Sequence, residues 1–196
     1  MTAYRLFNDI YEYEEAFVDF TAMRRNYNGL KVWFNEENHS LKEKLKSGWE
    51  PVGVKFEASS SAIGEPATPD ISVWNMSCLV LSQKAKDQLG DLLEKHGELF
   101  PLNNGYFLFN CLESVAGDAI DSEQTSIKID SISADAEMNM PDKLGFIDSK
   151  ISGKEIFKPG FLNNGFLICQ DTFKSRVEKA GLGGLLFKTN LAQMFV

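Results

Sequence analysis

The sequence predicts a single α+β domain with a mostly antiparallel or mixed sheet and a few packed helices. Short apolar runs recur along all 196 residues and are typical of strands. An Asn-Gly pair stands twice between such runs, as it does in hairpins, because both residues tolerate a positive φ. These hairpin signals outnumber the strand–helix–strand alternation that would indicate a parallel α/β fold.

The N-terminal part predicts short elements separated by polar segments. Residues 4–7 and 29–34 have the composition of strands, and residues 49–56 alternate enough for another strand. Asn38 or Ser40 would cap a short basic helix that stops at Gly48.

The clearest unit lies in the middle of the chain. Residues 78–81 predict a buried strand, and Ser82 is a good N-cap for the helix that follows. The spacing of the next apolar residues gives this helix one apolar stripe. That stripe comprises Ala85, Leu89, Leu92 and Leu93. Lys95 and His96 suit the C-terminal end, where Gly97 would take the left-handed conformation.

A related unit lies near the C-terminus. Residues 166–169 predict a strand, Asp171 an N-cap, and Gly181 the end of the helix, before a final strand at residues 185–187. Phe173, Val177 and Ala180 are spaced to share one helical face.

The tetrapeptide LNNG occurs at residues 102–105 and again at residues 162–165, each time before an aromatic-apolar run. We interpret both copies as turns rather than ligand loops. The surrounding elements come in different orders, so no duplicated domain is predicted.

Residues 58–70 are the most loop-like part of the chain, because they are rich in Ser, Gly and Pro. We expect one domain over residues 1–196. This loop is the place where an N-terminal lobe, 1–57, would join a C-terminal lobe, 71–196.

The sequence predicts no catalytic, cofactor-binding or metal-binding residues. The glycines of residues 181–184 close a helix, whereas a dinucleotide loop opens one. His39 and His96 stand in no nucleophile or metal motif. Cys78, Cys111 and Cys169 each lie in or beside an apolar run, which predicts buried, reduced thiols.

The net charge of −8 and the pI of about 4.9 argue against a nucleic-acid-binding surface. They suit a basic protein partner, because opposite charges speed encounter. No apolar run is long enough to span a bilayer, and the N-terminus lacks the pattern of a signal peptide. We therefore expect a cytoplasmic protein with no membrane partner.

An acidic-aromatic stretch between residues 11 and 20 is the candidate partner-binding surface. Its candidate residues are Tyr11, Glu12, Tyr13, Glu14, Glu15 and Asp19. The simpler interpretation of the same stretch is an amphipathic helix that buries Phe17 and Phe20, and the two interpretations can coexist.

A second acidic cluster, formed by Asp118, Asp121 and Glu123, offers oxygen ligands of the kind that metal ions bind. It lacks the loop pattern of a calcium site, and a solvated loop is the simpler interpretation.

The order of the C-terminal landmarks resembles a bacterial family, the immunity proteins of polymorphic toxin systems, family eleven. The landmarks are LVLSQKAKDQLGDLL, GELFPL, YFLFN, DAIDSE, IFK and FLICQDTFKSRVEKAGLGGLLF. The matching motifs include Ser82 with Ala85, residues 98–102, residues 106–110 and residues 180–187. The resemblance covers residues 45–190, and its motifs are mostly caps, turns and core strands.

The resemblance implies a non-enzymatic inhibitor that binds a cognate toxin and protects the producing cell. It brings no catalytic residues and no cofactor. Two alternatives stay open from the residues alone. One is an enzyme that uses carboxylates or a metal ion, and the other is an adaptor in a secretion apparatus.

Overall fold

A computed structural model describes residues 2–19, 21–22, 49–75, 78–127, 141–162 and 165–193. These residues form one α+β domain with antiparallel and mixed sheets, as predicted. The strands are β1 (Ala3–Asn8), β2 (Glu15–Val18), β3 (Val54–Glu57), β4 (Ile71–Trp74), β5 (Cys78–Leu81), β6 (Gly97–Pro101), β7 (Phe107–Cys111), β8 (Ser114–Val115), β9 (Ser126–Ile127), β10 (Pro141–Lys143), β11 (Ile156–Pro159), β12 (Ile168–Gln170) and β13 (Leu185–Lys188). The helices are α1 (Gln83–Leu93), α2 (Asp148–Ile151) and α3 (Asp171–Lys179).

A four-stranded antiparallel sheet in the order β4-β5-β7-β6 has a different layer on each face. Successive side chains of a strand point to opposite faces. In β5, Leu79 and Leu81 therefore join the core beneath α1, whereas Cys78 and Val80 join the core beneath β2 and β3. The sheet is buried on both faces, which explains the continuous apolar run of β5.

A five-stranded sheet in the order β13-β1-β12-β11-β8 forms the second half of the scaffold. Its pairs are antiparallel except for β8 and β11. Leu6 of β1 and Phe173 of α3 share the main core with the four-stranded sheet. Phe146 and Phe157 belong to a further core cluster, where their rings meet edge to face with centroids 5.5 Å apart. The predicted lobe division at residues 58–70 stays a prediction.

The predicted start of α1 is confirmed, whereas its predicted end is wrong. The Ser82 hydroxyl accepts a hydrogen bond from the Ala85 backbone N–H at 3.1 Å. The helix ends at Leu93, and Gly97 lies in β6 without a positive φ. Gly97 is required for a different reason, since a Cβ there would overlap the backbone carbonyl oxygen of Asn110 on β7.

The first LNNG is confirmed as a turn between β6 and β7. Asn104 and Gly105 have φ values of 62° and 77°, in the left-handed region that this turn needs. In the second copy, Asn163 and Asn164 lie outside the described residues. The same holds for the predicted strand 29–34, the basic helix, and Asn38, His39 and Ser40.

Two further predictions need correction. The strand predicted at residues 49–56 begins only at Val54. Asp171 is the first residue of α3 rather than its N-cap, which is Gln170. The Asp171 carboxylate instead accepts hydrogen bonds from the Thr2 backbone N–H and the Tyr4 hydroxyl, at 3.1 and 3.0 Å. These bonds hold the N-terminal strand against the start of α3.

The three cysteines are free and buried, as predicted. Burial raises the pKa of the Cys111 thiol to about 12 and that of Cys169 well above its usual value. Because the thiolate is the reactive form, both side chains behave as small apolar core residues.

A buried polar cluster joins the two large sheets. His96, which precedes β6, is 5% exposed, and its Nε2 atom lies in hydrogen-bond contact with the Glu155 carboxylate beside β11. Its Nδ1 atom is 3.7 Å from a carboxylate oxygen of Glu113, which pairs with Lys154. The predicted helix-end role of His96 is therefore wrong, because α1 stops three residues earlier and frees His96 to reach Glu155.

Replacement of Gly97 by Ala should lower the free energy of unfolding by about 3 kcal/mol, because backbone cannot move aside as a flexible side chain can. Gly53→Ala is the matched control, since a Cβ there would first meet a heavy atom at an ordinary 3.8 Å. Urea denaturation of both variants checks this. Equal midpoints for the two variants would contradict the role of Gly97.

The ionised Glu155 carboxylate should stabilise the folded protein, and this stabilisation should be lost in acid. Burial opposes its ionisation, but hydrogen bonds from its own backbone N–H and from His96 prevail and lower its pKa from 4.5. A carboxyl whose pKa is lower in the folded chain stabilises above the unfolded pKa and loses this effect as pH falls through the folded value. Glu155→Gln should therefore be less stable than wild type at neutral pH, and the difference should shrink as the pH falls below 4.5 and through the lower pKa of the folded protein.

Urea denaturation between about pH 3 and pH 7 measures that difference. Glu123→Gln, at an exposed side chain, is the control and should track wild type throughout. If the stability difference between Glu155→Gln and wild type did not change with pH, ionisation of the Glu155 carboxylate would not contribute to stability.

Candidate functional site

The charge of this protein is concentrated in one region. Residues 9–19 and 49–70 contain nine carboxylate side chains and a single lysine, Lys55. Their net charge of −8 equals that of the whole chain, so the remaining residues are neutral in sum. We call these two segments the acidic surface. Within the fold they form the ribbon of β2 and β3 and the loop that follows β3.

Residues Glu15–Val18 of the acidic-aromatic stretch form a strand, and the residues before them form a turn and an isolated bridge, so the interpretation of the stretch as an amphipathic helix is wrong. In β2, Ala16 and Val18 are buried against the four-stranded sheet, while Phe17 is 42% exposed. This alternation has the period of a strand, and pairing with β3 supplies the backbone hydrogen bonds. Phe20 lies outside the described residues.

The outward face of the ribbon holds two carboxylates side by side. Glu15 and Glu57 are directly opposite each other in the antiparallel register, and the next pair on this face is Phe17 and Lys55. Like charges in that position destabilise a sheet. Lys55 pairs with Glu57, and its ammonium lies 5.9 Å from the centre of the Phe17 ring. The ribbon therefore presents an aromatic ring beside a pair of carboxylates of which one has a lysine partner.

The six predicted binding residues divide into two groups. Tyr11 is 38% exposed and Glu12 is exposed, and Glu15 faces outward as described above. The other three are engaged within the chain. Glu14 accepts a hydrogen bond from the Thr68 hydroxyl at 2.8 Å, and Asp19 accepts one from the Ala22 backbone N–H at 2.8 Å.

Tyr13, the third of the engaged residues, packs its phenol against the glycine loop that follows α3. A Cβ at Gly183 would overlap the Tyr13 ring. The Gly183 N–H donates to the Asp70 carboxylate at 3.2 Å, and the Lys84 ammonium donates to the same carboxylate at 3.0 Å. The φ of 58° at Gly181 confirms the predicted helix end. The loop thus packs against the acidic surface and contacts it through Tyr13 and Asp70.

The sequence predicted residues 58–70 only as a connecting loop. In the structure this loop belongs to the acidic surface. The Ile63 N–H donates to the Tyr11 carbonyl at 2.9 Å, and the Ala67 N–H donates to the Glu12 carbonyl at 3.0 Å. The loop therefore runs along the predicted binding segment. Within this loop, the Ile63 side chain is 71% exposed. The sequence signal was a lone isoleucine in a Ser/Gly/Pro-rich segment, which is too weak to indicate a site.

The second acidic cluster has local partners. The Asp118 carboxylate lies 2.7 Å from the Lys150 ammonium, which lowers the pKa of Asp118. Asp121 accepts hydrogen bonds from the Glu123 backbone N–H and the Gln124 side-chain amide at 2.9 and 2.6 Å. Across the described ranges, no group of three or more His, Cys, Asp or Glu side chains is arranged to hold a metal ion.

None of the described helices combines the length and apolar character that crossing a membrane requires.

Comparison with known proteins gives one family. The model of the immunity protein family Imm11 matches residues 94–191, half of the chain. No curated protein matches the sequence. The matched segment runs from the end of α1 to beyond β13 and includes the glycine loop against which Tyr13 packs. The fold, the motifs and this match together show that the chain belongs to the immunity protein family Imm11.

Proposed function

We propose that this protein binds a cognate toxin in the cytoplasm of the cell that makes both, and neutralises it by covering part of its surface. The family membership supports an immunity role, and it favours a non-enzymatic one. The observation that carries the binding mode is the acidic surface, which holds the net charge of the whole chain. The toxin would present a basic face to it.

The geometry suits fast recognition of such a face. A concentrated negative field steers a basic partner toward one side of the molecule and raises the association rate. The β2–β3 ribbon is held from behind by the buried side chains of Ala16 and Val18. A surface that is already ordered loses little conformational entropy on binding, which favours affinity.

Co-expression tests the function. The adjacent upstream reading frame, expressed alone, should kill cells, and co-expression with this protein should restore survival. The two proteins should then elute together in size-exclusion chromatography. Rescue without a complex would contradict neutralisation by binding, and an absence of toxicity would contradict the immunity role.

Charge reversal on the ribbon should slow association. In a Glu12→Lys/Glu15→Lys variant, the lysine introduced at position 15 would stand opposite Glu57, so the fold should tolerate the change. We expect the association rate constant to fall by about tenfold or more at low salt, with a weaker dependence on ionic strength. Surface plasmon resonance at several salt concentrations measures both quantities.

Asp87→Lys/Glu94→Lys is the matched control. Both of its sites are exposed on or beside α1, which packs on the opposite face of the four-stranded sheet from the ribbon. It changes the net charge by the same amount at a different place. Equal loss of association rate in the two double variants would show that total charge, not the acidic surface, directs the toxin.

A further inference from the structure

We propose that Ile63 is the apolar anchor of the interface, and that the toxin receives it in an apolar pocket flanked by basic side chains. This inference rests on the proposed function and adds to it a residue and a partner chemistry. The loop at residues 58–70 would then be a recognition element and not only a connection.

Ile63 stands out by its exposure and by its neighbours. Four large hydrophobic side chains are exposed within the parts of the chain that the structure describes: Tyr11, Phe17, Ile63 and Ile147. Three of them belong to the acidic surface, and Ile63 is the most exposed of the four at 71%. Single exposed apolar residues are ordinary, but their concentration in one region is typical of an interaction site.

The loop fixes Ile63 in position before any partner arrives. The Ala62 N–H donates to the Ser59 carbonyl at 3.0 Å, which closes a tight turn just before Ile63. The Ile63 N–H is then tied to the Tyr11 carbonyl, and Gly64 turns the chain with a φ of 76°. The backbone on both sides is therefore ordered, and the side chain projects from it into solvent. An anchor held in this way loses little freedom on binding.

The residues around the anchor indicate what surrounds the pocket on the partner. Glu65 is exposed two residues after Ile63, and the exposed Glu12 is joined to the loop through its backbone carbonyl, which accepts from the Ala67 N–H. In protein interfaces an apolar centre enclosed by a polar rim carries most of the binding energy. An aliphatic side chain among carboxylates therefore fits an apolar pocket whose rim is formed by Lys or Arg.

Ile63→Ala tests the anchor, and Ile147→Ala is its control at the exposed isoleucine outside the acidic surface. Both sites are exposed, so both variants should fold, which circular dichroism and thermal melts would verify. The probe is the product of the adjacent upstream reading frame. We expect Ile63→Ala to raise the dissociation rate constant about tenfold or more, with little change in association. Ile63→Val should retain most of the affinity.

The outcomes separate this inference from the function on which it rests. Tight binding by wild type with unchanged dissociation for Ile63→Ala would overturn the anchor and leave the immunity role intact. Equal losses for Ile63→Ala and Ile147→Ala would also overturn it. An absence of binding by the wild-type protein would overturn both. A Glu12→Gln/Glu65→Gln variant should slow association while leaving dissociation nearly unchanged, and the reverse pattern would contradict the basic rim.

Discussion

The acidic surface depends on the burial of Ala16 and Val18 against the four-stranded sheet. Because a strand alternates its side chains, these two small residues fix the direction of every neighbour in β2. A shift of one residue would bury Glu15 and Phe17 and expose the apolar pair. The outward direction of Glu15 and Phe17 is therefore a consequence of core packing. The Ser72 hydroxyl, which accepts from the Ala16 N–H at 3.2 Å, adds a polar contact that opposes such a shift.

The family-matched segment and the acidic surface occupy different parts of the chain. The match covers residues 94–191, whereas the acidic surface comes from residues 9–19 and 49–70. The two meet at the glycine loop, where Gly183 contacts Tyr13 and Asp70. The matched segment thus supplies β6 and β7 of the sheet beneath the ribbon, whereas β4, β5 and the acidic surface itself lie outside the match.

Elements with strong local chemistry were predictable, and elements defined by partners distant in sequence were not. The Ser82 cap, the first LNNG turn and the Gly181 helix end are set by a few adjacent residues, and the structure has all three. Gly97 was misread because its Cβ position faces Asn110 across the sheet, which no local pattern reveals.

The candidate site shows the same limit. Residues 11–19 were identified from composition alone, but the strand within them, β2, depends on pairing with β3, which lies almost forty residues away. The contribution of residues 58–70 depends on backbone hydrogen bonds to Tyr11 and Glu12. Backbone hydrogen bonds do not depend on side-chain identity, so the amino-acid sequence does not indicate them. For this reason the sequence indicated the acidic-aromatic segment but not the contribution of Ile63.

The direct opposition of Glu15 and Glu57 has a thermodynamic meaning under the proposed function. Two carboxylates in that register repel each other in the unbound protein, and the Lys55 ammonium pairs with one of them, Glu57. A basic side chain placed beside Glu15 by the toxin would oppose this repulsion further. The free energy released would then add to binding, so a feature that weakens the isolated fold would strengthen the complex. Anything that binds only the folded state also stabilises it. The toxin would therefore restore to the ribbon the stability that the facing carboxylates take from it.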